Sequence, residues 1–251
     1  MPAFTKGRYS ARLAVGQADV EAAQALRHRC FVAPNGAGDA PGLDVDDFDP
    51  LCLHMLVEDR ASGRLVCCFR LLPLSSGRDI AESYSAQHYD LSALAGFSGP
   101  MAEMGRFCIA PETRDPDIPR VAWGALTRFV DGEGIEMLFG CSSFAGTQAQ
   151  THRDAFALLG ARHLAPTRWR PTTKAPKVVR FADKPSGPDN PKRAIQCLPP
   201  LLRTYLLMGG WVSDHAVIDD ELNTMHVFTG LEIAAVPPTR ARLLRAVAGR
   251  L

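Results

Sequence analysis

The spacing of apolar and polar residues changes repeatedly along the chain. Residues 9–15 alternate and predict a first strand. From Asp19 the apolar positions fall into helical spacing, with Val20, Ala23, Leu26, Cys30 and Phe31 near one face. Asp19 is the expected N-cap of this helix. Arg27 and Phe31, four apart, share a side at its end. Residues 33–50 are rich in Gly, Pro and Asp and predict a long loop closing on Asp44, Asp46, Asp47 and Asp49. Two apolar runs, 54–59 and 64–72, flank a turn and predict a hairpin with Arg70 near the end of its second strand. Residues 75–99 are irregular, with a short helix expected over 85–91.

A short strand follows at 100–111, then a helix over 118–133 ended by Gly134. A buried strand is expected at 135–144 and a helix at 151–159, capped by Gly160. Residues 161–194 are proline-rich and basic. The remainder predicts an apolar helix within 198–212, a strand at 227–236 and a basic helix at 239–250. This order is that of an α/β protein with a mixed sheet, not of a regular βαβ series. The expected organisation is a core over 1–165 and a C-terminal extension, 166–251, that completes the same domain.

The strand at 100–111 carries a carboxylate, Glu103, and a guanidinium, Arg106, inside an apolar run. Such charges are costly to bury unless paired or used. Residues three apart on a regular strand point to opposite faces. A bulge at Gly105 would bring both into one cleft. Two uses stay open: a reaction centre, or an ion pair that holds the strand.

Composition narrows the function. The 251 residues are 46% hydrophobic and 22% charged with a formal net charge of +1, which suits a globular enzyme and gives no sign of a nucleic-acid partner. The 162–193 segment is locally basic and is either a solvated loop region or a docking surface for an acidic carrier or an anionic membrane. Seven cysteines without a C-x-x-C pair read as small core residues in a reducing compartment, with no disulfide and no metal site. With no signal peptide and no apolar run of about 18 residues, a cytoplasmic protein is expected. Walker A, G-x-G-x-x-G, G-x-S-x-G and H-E-x-x-H patterns are absent, which sets aside ATP, NAD, serine-hydrolase and zinc-peptidase chemistry. An H-x-x-x-x-D pattern, used by glycerolipid O-acyltransferases, occurs at His54/Asp59 and again at His215/Asp220. Residues five apart on a strand face opposite ways, so a structural His54 is the better expectation.

Taken in order, Arg27-x-x-x-Phe31, Asp46-x-x-Asp49, Arg70 at a strand end and Glu103-x-x-Arg106 resemble the autoinducer-synthase-like branch of the GNAT N-acyltransferases. Within it, the chain is most similar to the L-ornithine Nα-acyltransferases of ornithine-lipid synthesis, through Arg27–Phe31, Asp46–Asp49 with Cys52 and His54, Phe69–Leu72, Tyr84-Ser85, Tyr89–Ser92, Glu103–Ile109 and Leu138–Phe144. The resemblance covers about residues 8–165. No tryptophan stands between Val32 and Leu53, where acyl-homoserine-lactone synthases carry one for S-adenosylmethionine. The usual GNAT pyrophosphate loop is replaced by Arg114–Arg120, which fits a carrier-bound donor with one phosphate better than acetyl-CoA.

The resemblance implies a GNAT-like, mostly antiparallel central sheet flanked by helices. It implies a donor in which acyl carrier protein presents the (3-hydroxy)fatty acyl group as its phosphopantetheine thioester, with no further cofactor. Glu103 is the expected base and Arg106 its catalytic neighbour. Asp46 and Asp49 are expected at the substrate's ammonium groups, Arg70 at its carboxylate or on the acidic loop, and Arg27 and Phe31 around the loop mouth. Phe107 or Cys108 would offer an oxyanion N–H. Arg114 and Arg120 would meet the phosphate, and Ser142, Ser143 and Phe144 would line the pantetheine and acyl channel. The amphiphilic product implies membrane-surface contact, peripheral on the inner membrane. Three alternatives stay open: transfer to another amino acid such as glutamine, signal synthesis from S-adenosylmethionine, and a non-catalytic acyl-carrier or lipid-binding role.

Overall fold

The computed structural model describes residues 3–35, 41–181 and 187–249. The middle of the expected 33–50 loop, Asp183 and Lys184 of the basic segment, and Arg250 lie outside the described residues. In chain order the elements begin with β1 (Phe4–Lys6), β2 (Tyr9–Leu13), α1 (Gln17–Arg27), β3 (Leu53–Asp59) and β4 (Leu65–Leu74). Next come α2 (Ser85–His88), β5 (Tyr89–Asp90), β6 (Met101–Ile109), α3 (Asp117–Glu133), β7 (Met137–Ala145) and α4 (Arg153–Arg162). The chain continues with β8 (Thr172–Thr173), β9 (Val178–Arg180), α5 (Pro191–Cys197) and α6 (Pro200–Leu207). It closes with β10 (Trp211–Val212), β11 (His215–Asp219), β12 (Thr224–Glu232) and α7 (Pro238–Val247).

The contacts divide the chain into two compact units. One comprises Met1–Pro73, Met104–Ile135 and Pro238–Leu251, and the other Leu74–Glu103 and Glu136–Pro237. In the first unit, β1, β2, β3 and β4 pair antiparallel in that order. Register sets the faces. Phe4, Ala11, Val57 and Cys67 stand opposite one another across the four strands and share one buried face. α3 covers it so closely that a Cβ on Gly124 would lie 2.7 Å from the Phe4 ring. The alternate row, Leu56 and Cys68, carries Ala23 and Leu26 of α1 on the opposite face. Gly134, left-handed at φ 63°, ends α3 as expected.

α1 starts at Gln17, two residues before the expected cap. Gly16, at φ 85°, occupies the N-cap position. Asp19 sits in the first turn, where it accepts from the Val15 N–H at 2.7 Å and from Arg12. Its hydrogen bond with Arg12 holds the Asp19 carboxyl down at about 2. Past Arg27 the helix loosens into a π-turn over His28–Val32 and then a 3-10 turn over Ala33–Asn35.

In the second unit, β6 pairs parallel with β7 over Met101–Glu103, and β7, β12, β11 and β9 follow antiparallel. One sheet face carries Phe144, Met225 and Val227 and packs on α4, α5 and α6 through Phe156, Leu159, Leu198 and Leu202. The other carries Glu103 opposite Phe139, then Cys141 opposite Phe228, with His226 further along. Tyr89 packs edge-on against Phe228 there. Three expectations shift in this unit. The single helix expected within 198–212 is α6 followed by β10, with Gly209 at φ 92° between them. The strand expected at 227–236 is a hairpin, β11–β12, turning through Asn223 at φ 48°. Gly160, expected to cap α4, lies inside it. β12 pairs with β7 over nine residues, so the C-terminal segment supplies strands to the sheet that holds Glu103.

Candidate functional site

Each unit holds part of the constellation the sequence singles out. In the first unit three arginines meet three aspartates in a buried ion network. Arg27, only 1% exposed, donates from Nε to Asp44 at 2.8 Å and from Nη1 and Nη2 to the two oxygens of Asp49 at 2.7 and 3.0 Å. It also donates to the Asp44 carbonyl. Arg70 bridges Asp46, at 2.8 Å from Nη2, and Asp49, at 2.9 Å from Nη1. Arg106 completes the set, from Nε to Asp44 at 3.0 Å and from Nη2 to Asp46 at 3.2 Å. Gln24 donates to Asp49 at 2.8 Å, and His54 Nε2 meets the Asp49 carbonyl at 3.0 Å.

The network gives the acidic loop its fold. A run of aspartates has little reason to enter a protein interior, but three guanidiniums presented by α1, β4 and β6 supply forked donors for it. Burial pushes the Asp49 carboxyl up, yet Arg27, Gln24 and Arg70 outweigh that and hold it well below the usual carboxylate range. Asp46 is lowered in the same way: burial opposes, and Arg70 and Arg106 prevail. Burial works against the charge on Arg27 and Arg70, and their aspartates raise both above the ordinary guanidinium value. Of the two expectations for Arg70, holding the acidic loop is the contact the structure contains. Asp49 has both oxygens engaged and is nearly sealed. Asp46 is the most exposed of the three acids. Phe31 is half-buried against the α1 face of the sheet.

Glu103 lies in the second unit, 5% exposed. Its carboxylate accepts from the Tyr84 N–H at 2.8 Å, the Ser85 N–H at 2.7 Å and the Ser85 hydroxyl at 2.5 Å. These two N–H groups open the turn of α2, where a helix has no internal acceptors. The described partners of Glu103 and of Arg106 are thus two separate sets. The regular alternation of β6 breaks between them, with the left-handed residue at Arg106 (φ 53°) and not at Gly105.

The other expected positions are spread out. Phe107 stacks on Phe69 at 5.6 Å, and the Cys108 side chain is buried beside Cys68, 3.5 Å between sulfurs. Arg114 and Arg120 are exposed near the start of α3. There Asp115 accepts from the Asp117 N–H at 2.9 Å and from the Tyr9 hydroxyl at 2.8 Å, while Arg120 pairs with Asp117. Ser142 and Phe144 point into the core under α4, Ser142 accepting from Thr229 at 3.0 Å. Ser143 alternates to the Glu103 face and is exposed. His54 and Asp59 have unrelated partners, the Asp49 carbonyl for one and Arg8 with Ser62 for the other.

Beside Glu103 lies a cluster of rings in which Tyr89 and His215 each belong to a sequence motif, but no motif brings them together with His88 and His226. The Tyr89 hydroxyl donates to the His226 carbonyl at 2.8 Å and lies 3.1 Å from His226 Nδ1. His88 meets His226 at 4.9 Å between rings, and His215 meets Tyr89 at 5.2 Å. Burial, with His88 and His215 nearby, pushes His226 down to about 3. Three histidines scattered from 88 to 226 carry no spacing signal.

Residues 26–124 match the family model described as the acetyltransferase (GNAT) domain. The match runs from the end of α1 through the ion network and Glu103. The L-ornithine Nα-acyltransferase of Rhizobium meliloti (strain 1021) is 31% identical over 252 residues, covering 95% of this chain and 85% of that protein. The enzyme of the same name from Rhodobacter capsulatus is 31% identical over 239 residues, covering 91% of each. Among solved structures, FeeM, an N-acyl amino acid synthase from uncultured soil microbes, aligns with a TM-score of 0.48 and 12% identity over 91% of this chain and 94% of that one. The chain belongs to the L-ornithine Nα-acyltransferase family.

Proposed function

We propose that the protein transfers a (3-hydroxy)fatty acyl group from acyl carrier protein to the α-amine of L-ornithine, giving lyso-ornithine lipid. The observation that carries this is 31% identity with enzymes of that name in matches that cover 95% and 91% of the chain. In this reading the ammonium form of the amine gives up a proton to Glu103, directly or through a water. The free amine nitrogen attacks the thioester carbonyl and the backbone N–H of Phe107 or Cys108 donates to the oxyanion; the carbon–sulfur bond then breaks as the nitrogen gives up its second proton, which the departing sulfur takes to leave as the pantetheine thiol. Asp46, the most exposed acid of the network, serves a cationic group of the substrate, while Asp44 and Asp49 hold the loop with Arg27, Arg70 and Arg106. Ser143, exposed on the Glu103 face, supports a place in the pantetheine channel better than Ser142 or Phe144.

Among the described residues no helix is long and apolar enough to cross a membrane. Exposed Leu207 on α6 supports peripheral contact with a lipid surface as the route by which the product leaves. The test is thiol release from 3-hydroxyacyl carrier protein by the purified chain across a panel of amino acids. Release with ornithine, and an acyl-ornithine product by mass spectrometry, is expected. Release only with glutamine or S-adenosylmethionine would reassign the acceptor, and no release with any of the amines would remove the enzymatic reading.

A further inference from the structure

Ser85 has no part in the chemistry described so far. Its side chain is fully buried, and its hydroxyl makes the shortest of the three described hydrogen bonds to Glu103. We infer that Ser85 is a positioning residue that sets the pH at which Glu103 can accept the amine's proton; this rests on Glu103 being the base of the acyl transfer proposed above.

The three described donors to Glu103 are not equivalent. The N–H groups of Tyr84 and Ser85 are fixed by the backbone and can only donate. A hydroxyl is a rotor that both donates and accepts. While Glu103 is ionised, all three donate to it. Once the carboxylate has taken the proton, the N–H groups have no way to receive it. The Ser85 hydroxyl can turn, accept from the new carboxyl O–H and point its own hydrogen to Cys141 Sγ, 3.4 Å away. Ser85 therefore serves both protonation states, and it favours the ionised one because a charge-assisted bond is the stronger of the two.

Other groups near this turn leave the comparison intact. Cys141 faces Ser85 from β7, and Lys174 donates to the Ala86 carbonyl at 2.6 Å. Tyr84 and His88 belong to the turn itself. Tyr89, His226 and His215 pack against it, with Asp214 2.7 Å from His215 Nδ1, and Arg106 follows Glu103 on the same strand. All are the same in wild type and in a Ser85 variant, so a difference between the two reports the hydroxyl.

The experiment is the pH profile of kcat/KM for thiol release with ornithine, measured for wild type, Ser85→Ala and Ser85→Cys after folding is verified by circular dichroism. Losing one hydrogen bond to a charged group moves the acidic limb of the Ser85→Ala profile up by about one to two pH units, with the alkaline plateau retained. Ser85→Cys, whose S–H is a weak donor, falls between the two. An unmoved limb in an active, folded variant overturns the inference, as does an equal loss of rate at every pH, which marks Ser85 as merely structural. If Ser85→Ala does not fold, an unmoved limb in Ser85→Cys overturns it alone. A wild-type chain that releases no thiol with any amine overturns the acyl-transfer reading and this inference with it.

Discussion

Removing Arg27 tests whether the ion network is a balanced structural unit. The side chain is 1% exposed and donates to both oxygens of Asp49, to the Asp44 carboxylate and to the Asp44 carbonyl. Arg27→Met keeps the length of the stem and takes away the guanidinium. Asp49 retains Arg70 and Gln24, and Asp44 retains Arg106. Three arginines against three aspartates become two against three, which leaves one uncompensated negative charge in a largely dehydrated cluster. Breaking a buried pair on one side costs about 3–5 kcal/mol. Set against a total stability of roughly 5–15 kcal/mol, that is about a fifth of the margin or more. Asp49→Asn in the same background restores two against two. The double variant is therefore expected to recover about 1–3 kcal/mol relative to the sum of the single changes. Urea unfolding of the four proteins of this cycle, followed by far-UV circular dichroism, measures both quantities. An Arg27→Met variant that loses less than about 1 kcal/mol, or a strictly additive cycle, would refute the view that these charges balance one another.

Two further outcomes follow from the second unit. Glu103→Gln sets an amide against three donors, one of which it must meet with its own N–H₂, so about 1–3 kcal/mol of stability is lost. Turnover should fall by at least about a hundredfold while carrier binding is unchanged; normal turnover would leave Glu103 only its structural role. Burial holds His226 down to about 3, so the unfolded chain takes up a proton before the folded one as pH falls below about 6.5. Its contribution is complete above that pH and is lost on acidification, by about 1.4 kcal/mol per pH unit until the folded protein also titrates. Urea unfolding at pH 7, 6 and 5 should show a shallower decline for His226→Gln than for wild type, and equal slopes would disprove it.

Much of this was legible in the sequence because it rests on local rules. The hairpin of β3 and β4, the strand carrying Glu103, and the long helix ended by Gly134 follow from alternation, helical spacing and a left-handed stop. The charged positions were legible as well, because a carboxylate or a guanidinium in an apolar run needs a partner. Who that partner is was not. Arg27, Asp49 and Arg70 are far apart along the chain, and only the approach of α1 to β4 decides that they satisfy one another. The same holds for Ser85, whose place at a helix start and in the family resemblance gives no partner until its hydroxyl is found on Glu103. β11 escaped notice because His215 and Asp219 bracket only three apolar residues, and pairing with β12 and β9 makes up what its own pattern lacks.

Gly105 looked like the natural place for β6 to break, since glycine alone enters the left-handed region freely. The break is at Arg106 instead, at φ 53°, where a Cβ crowds the following carbonyl at about 1–2 kcal/mol. What holds it there is the guanidinium, fixed to Asp44 and Asp46. Gly105 is not needed for space: a Cβ there would come no closer than 3.6 Å to Arg70 Nε, an ordinary contact. Arg106→Ala and Arg106→Gly separate the two effects. Both remove the guanidinium and leave the aspartates one cation short, but Ala keeps the crowded Cβ and Gly does not. Gly should therefore be the more stable of the two by about 1 kcal/mol, although glycine also loses more freedom on folding. Both should be less stable than wild type, because an unbalanced buried acid outweighs the relief of one backbone contact. Thermal unfolding of the three proteins decides it. If Ala matches or exceeds Gly, the backbone at 106 stores no strain, and the conformation belongs to the strand and not to the ion pairs that grip its arginine.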